Sequence, residues 1–114
     1  MSDTIFTKII NKEIPAEILY EDDDVLAFKD VNPQAPIHFL VIPKIPIRTI
    51  NDIDESQMSL IGKLTMTAQK VAKQQGIAED GYRLVMNCNE DGGQTVYHIH
   101  MHVLGGRALG WPPG

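Results

Sequence analysis

The chain has a single cysteine, no long apolar run, and fewer basic than acidic residues. The lone thiol, Cys88, excludes an internal disulfide framework and a multi-cysteine zinc site, and it fits a reducing compartment. No apolar stretch approaches the roughly 18 residues of a membrane-spanning helix, and Met1-Ser2-Asp3 lacks the basic start of a secretory leader. The expected location is therefore the cytoplasm. Ten Lys and Arg against fifteen Asp and Glu give a net charge of −5. That balance excludes a general nucleic-acid binder and a polybasic membrane-surface binder, because both depend on clustered cations. There is no internal repeat, low-complexity tract or linker, so the 114 residues read as one domain, 1–114. A chain this long buries roughly 65% of its unfolded surface, enough for one core without staples. One further absence is local: Gly93 to Gly114 contains no Asp or Glu, yet holds Arg107 and three of the four histidines. That segment is suited to receive an anion.

What is present reads as helix, strands, long helix, strands. Ile5, Phe6, Ile9 and Ile10 share a helical face, with Asp3 as the expected N-cap and Pro15 limiting extension. Glu17–Tyr20 and Val25–Lys29 read as strands joined by the solvated turn Glu21-Asp22-Asp23-Asp24, which lacks the glycine and spaced ligands of a calcium loop. Ile37–Ile42, bounded by Pro36 and Pro43, reads as a central strand covered on both faces. A helix from near Asp54 carries Leu60, Ile61, Leu64, Ala68 and Val71 at the helical period and ends before Gly76. Met58 and Met66 are expected in core or edge packing. Tyr82–Asn87 and Val96–Leu104 alternate as strands, separated by the glycine-containing loop 87–95. The fold class is α+β with a mainly antiparallel sheet.

The chemistry concentrates in Val96–Leu104. At the two-residue period of a strand, His98, His100 and His102 share one face, about 6.6–6.8 Å apart along it. Three imidazoles in register are a costly choice for packing alone. One reading is a metal module using His100, His102 and His38. Against it, His98 and His102 lie about 13 Å apart on a straight strand, and the nearest acid along the chain is Asp91. The favoured reading is phosphorus chemistry: the central imidazole attacks phosphorus while its neighbours orient it and stabilise charge. Backbone amides around Gly92-Gly93-Gln94-Thr95 would cradle phosphate oxygens.

The segment His98-Ile99-His100-Met101-His102-Val103-Leu104 resembles the signature of the histidine triad superfamily, alternating histidine with apolar residues. The likeness is closest to its Hint branch, nucleoside phosphoramidases. Glu13-Ile14-Pro15-Ala16, Pro33-Gln34-Ala35-Pro36, His38–Lys44, Asp91-Gly92-Gly93-Gln94 and Trp111-Pro112-Pro113-Gly114 all look like that branch. The resemblance implies a five-stranded antiparallel sheet with two helices, paired as a homodimer. It implies that His100 attacks the α-phosphorus of a purine nucleoside 5′-phosphoramidate, with hydrolysis of the nucleotidyl-histidine to follow. It also implies that His98 orders the nucleophile, His102 faces the phosphate and leaving group, and His38 is a fourth site histidine. Asp30 and Val31 would hold ribose and base beside Ile5 and Phe6, with Asn87, Gly93, Gln94 and Thr95 at the phosphate. Thr95 stands where Hint proteins often carry serine. Thr4 and Thr7 replace the Cys-x-x-Cys pair of some bacterial relatives, so no structural zinc and no cofactor are expected. Lys29 and Pro46 stand where some Hint proteins have histidine. The alternatives that remain are a dinucleoside polyphosphate hydrolase and a nucleotide-binding regulatory protein.

Overall fold

Thr4, not Asp3, starts the first helix. In the computed structural model, which describes residues 3–114, the Thr4 Oγ1 accepts from the amides of Phe6 (3.2 Å) and Thr7 (3.4 Å), while Thr7 Oγ1 accepts from the Thr4 amide (3.3 Å). This reciprocal box needs a hydroxyl three residues on, which Thr4 has in Thr7, and Asp3 is one position too early. Helix α1 runs Ile5–Ile10 and buries Phe6 and Ile9. The start of the chain at Met1-Ser2, read above for a leader, lies outside the described residues.

Strands β1 (Ile18–Glu21) and β2 (Val25–Lys29) pair antiparallel across the acidic turn. The turn is held by cations rather than merely solvated. Lys63 reaches Asp22 (3.0 Å) and Asp24 (2.8 Å), and Lys12 and Lys44 both reach Glu21. Burial works against the Asp22 carboxylate, but the amides of Asp24 and Val25, Lys63 and the Tyr20 hydroxyl hold its pKa well below the usual range. Lys63 belongs to α2 (Met58–Gln74), so these ion pairs also fasten the long helix to the hairpin.

The third strand, β3 (Ile37–Pro43), is central and almost wholly buried, as its apolar run predicts. With β4 (Tyr82–Val85) and β5 (Met101–Gly105) it completes a five-stranded antiparallel sheet of order β1-β2-β3-β5-β4. Alternation along β2, β3 and β5 divides the interior. Val25, Ala27, Phe39, Val41, Met101 and Val103 pack under Leu64, Ala68 and Val71 of α2. On the other face Leu26, Phe28, Leu40 and Ile42 pack against Phe6 and Ile9 of α1. Helix α2 is preceded by a 3-10 turn, Glu55–Gln57, capped by Asp54, and Gly76 beyond its end takes φ +77°. Met58 and Met66 are 69% and 61% exposed, not packed in core or edge: they fall on the outward face of α2. A one-turn α-helix, α3 (Asn89–Gly92), occupies the loop 87–95, an addition to the two expected helices.

The largest departure concerns the histidine segment. Strand pairing of β3 with β5 ends at Val41↔Met101, so His98 and His100 stand outside the ladder. The cause is Pro43. Two positions on, the same register would set Ile99 against Pro43, which has no amide hydrogen to give. The Ile99 amide donates instead to the carbonyl of Ile47, at 2.8 Å.

Candidate active site

Leaving the ladder lets the chain turn His98 and His100 into the α1 face of the sheet. The rings of His100 and His102 are 5.0 Å apart, centre to centre, and Phe6 stands edge-on to His100 at 5.0 Å. A cleft of about 270 Å³ opens beside them. Ile5, Phe6, Ile9, Phe28, Leu40 and Val96 give it apolar walls, and Asp30, Thr95, His100 and His102 make its polar end. Val31, 96% exposed, stands at its rim.

Hydrogen bonds fix which nitrogen of each histidine carries a proton. The Gln34 amide donates to His38 Nδ1 (3.0 Å), so the His38 proton is on Nε2. That Nε2–H donates to His102 Nδ1 (2.9 Å), leaving the His102 proton on its own Nε2. His100 Nδ1–H donates to the carbonyl oxygen of His98 (2.8 Å), so its Nε2 holds a free lone pair. His98 Nε2–H donates to the carbonyl of Pro43 (2.8 Å). His98 Nδ1 is the one buried side-chain polar atom without a partner among the described residues.

All four imidazoles are biased to the neutral form. Burial lowers the pKa of His38, His98 and His100 below the usual 6.5. Burial first, then the neighbouring His100 and His38, push His102 down to about 4. Asp30 opposes this at His38, His100 and His102, and its Oδ2 lies 3.4 Å from His38 Nε2. Proximity along the chain left Asp91 as the nearest acid. The pairing of β2 with β3 carries Asp30 to the histidines instead, its amide donating to the His38 carbonyl.

Ligand atoms of Asp30, His38 and His102 lie within 4.8 Å of one another, so Asp30 takes the place of His100 in the metal set suggested by sequence. The donor pattern does not suit an ion. Ligation through His38 Nε2 would move the proton to Nδ1, where it would face the Gln34 N–H, two donors 3.0 Å apart.

Of the residues named from sequence, Asp30, Val31, Thr95, His100 and His102 meet at the cleft with Ile5 and Phe6. His38 stands behind His102, and His98 is buried, bonded to the Pro43 carbonyl and outside the cleft lining. Asn87, Gly93 and Gln94 do not line this cleft. Gly93 ends α3 at φ +83°, and the amides of Gly93 and Gln94 are used within that turn by the carbonyls of Glu90 and Asn89. Sequence reasoning missed Ile9, Phe28 and Leu40 as walls; Leu40, two residues from His38 on the same strand face, was detectable from the period alone.

A family model described as the HIT domain matches residues 11–109. The purine nucleoside phosphoramidase of Escherichia coli is 58% identical over 108 residues, spanning 95% of this chain and 91% of that protein. A solved HIT family hydrolase from Legionella pneumophila superposes with a TM-score of 0.96 at 51% identity, covering 98% of this chain and 100% of the other. Another, from Clostridium thermocellum, gives 0.93 at 47% identity, with 96% of each chain covered.

The depressed histidines link stability to pH. Below their ordinary value of 6.5 they bind fewer protons in the fold than in the unfolded chain, so acidification favours unfolding. The unfolding free energy from urea titration is expected to fall from about pH 7 to about pH 5, a window in which carboxylates remain largely ionised. A pH-independent value across that window would mean the imidazoles titrate normally.

Proposed function

The chain belongs to the HIT-domain family, and on that premise we propose that it is a phosphoramidase, releasing a purine nucleoside monophosphate and an amine through a nucleotidyl-His100 intermediate. The observation that carries this reading is the tautomer of His100: with Nδ1–H committed to the His98 carbonyl, the lone pair on Nε2 is the nucleophile at the polar end of the cleft. An enzyme of the HIT family acting on nucleotides is supported by the chain's likeness to the E. coli phosphoramidase and to HIT hydrolases.

The steps follow from the residues present. The purine and ribose lie along the apolar walls, with Val31 and Ile5 against the base and Asp30 at the ribose hydroxyls. Nε2 of His100 attacks the α-phosphorus, forming the N–P bond as the P–N bond to the amine breaks. His102 Nε2–H donates a hydrogen bond to the phosphate, and the leaving nitrogen departs with the electron pair of the broken bond and the proton of the Thr95 hydroxyl, which the attacking water of the next step restores. Water then displaces the nucleotide from His100 and restores the free imidazole. His38, held by the Gln34 amide, keeps His102 in the tautomer that presents Nε2–H.

The working unit in this reading is a homodimer in the cytoplasm, with no cofactor, membrane or nucleic-acid partner. Its support is the unpaired outer edge of β4, where Leu84 is exposed, together with the exposed Met58 and Met66 of α2. Sedimentation is expected to give the mass of two chains, and a single-chain mass at micromolar concentration would rule the dimer out.

Rapid mixing with an adenosine 5′-phosphoramidate, followed by intact-mass analysis, tests the chemistry. A transient AMP adduct is expected on the wild type, mapped to His100, and absent from His100→Ala with turnover lost. Unchanged turnover in His100→Ala would end the reading. AMP binding with no turnover in the wild type would leave a nucleotide-binding protein.

A further inference from the structure

We propose that Gln94 is a positioning residue for the His100 nucleophile rather than a ligand of the phosphate. The inference rests on the reading of His100 given above. Between residue 94 and the start of β5 the chain has no ladder partner, so other bonds must set where His100 stands. The Ile99 amide and the His98 ring secure the near end, on the carbonyls of Ile47 and Pro43. Gln94 secures the far end.

Its side chain is only 6% exposed and every hydrogen-bonding group on it is used. Oε1 accepts from the Asn89 amide (2.9 Å), and the two Nε2 hydrogens go to the carbonyls of Arg48 (2.9 Å) and Val96 (3.0 Å). The backbone amide of Gln94 donates to the Asn89 carbonyl (3.0 Å). No donor is left for a phosphate oxygen. One side chain therefore ties three segments together: the α3 turn, the loop after β3, and the stretch leading to the histidines. The Arg48 guanidinium lies 4.4 Å from the Tyr97 ring centre, a second tie between the same two stretches.

The site demands a carboxamide of this length, because only that group accepts once and donates twice in this fork. A glutamate would aim a carboxylate at two carbonyl oxygens, and a methionine would take the partner from three part-buried backbone groups. Either change frees residues 94–97 to shift, and with them the His98 carbonyl that orients the His100 ring. In-line attack is sensitive to displacements near 1 Å, which cost about 100-fold in rate.

The test pairs two measurements on Gln94→Glu and Gln94→Met: the rate of AMP-adduct formation after rapid mixing with an adenosine phosphoramidate, and the Kd for AMP by calorimetry. A positioning role predicts adduct formation slowed by about 100-fold, with the Kd for AMP little changed. A Kd that rises in step with the loss of rate would make Gln94 a phosphate ligand and overturn the proposal. So would adduct formation at the wild-type rate in both variants. If one variant unfolds on heating at assay temperature, the other carries the comparison, and failure of both to fold would reduce Gln94 to a core residue. Absence of an adduct in the wild type itself would sink the phosphoramidase reading instead.

Discussion

One hydrogen bond, from His100 Nδ1–H to the carbonyl oxygen of His98, sets the chemistry of this protein. It decides which nitrogen of His100 is bare and which way that nitrogen faces. The bond depends on an irregular backbone. In a continued strand the His98 carbonyl would lie in the plane of the sheet, aimed at a neighbouring strand. Pro43, unable to donate to that neighbour, ends the pairing two residues early and releases the carbonyl for the imidazole. A proline at the end of the central strand thus becomes a condition of a nucleophile about half the chain away, the His98 whose carbonyl holds it lying 55 positions on.

The second constraint is electrostatic. The chain is acidic overall, and the histidines are held neutral by burial. An anionic phosphate in this site is met by hydrogen-bond donors, the His102 Nε2–H and the Thr95 hydroxyl, rather than by standing positive charge. The relay from the Gln34 amide through His38 to His102 matters for this reason. A backbone N–H cannot change its protonation, so it imposes one direction on every bond that follows. The same direction makes Asp30, His38 and His102 a poor metal site despite their closeness.

How much was legible in the sequence follows from the range of the interactions involved. Period and bounding prolines were enough for β3 and for the buried face of α2 at Leu64, Ala68 and Val71. Thr95, His100 and His102 at the polar end of the cleft come from the acid-free last stretch, and Asp30 does not. Features that failed to show were bonds between a side chain and a distant backbone. Gln94 to Arg48 spans 46 positions and His98 to Pro43 spans 55, and nothing in a local window announces either. Asp30 looked remote from the histidines because its approach is made by strand pairing, not by sequence distance. The Asp3 cap failed for a nearer reason: a hydroxyl at Thr7 completes a box only with Thr4.

The central claim is the tautomer of His100, and two-bond nitrogen–proton correlation spectra of the uniformly 15N-labelled protein at neutral pH read it directly. A neutral His100 protonated on Nδ1 is expected, with His38, His98 and His102 neutral and protonated on Nε2. A His100 protonated on Nε2, or on both nitrogens, would contradict it, because no lone pair would then face the cleft.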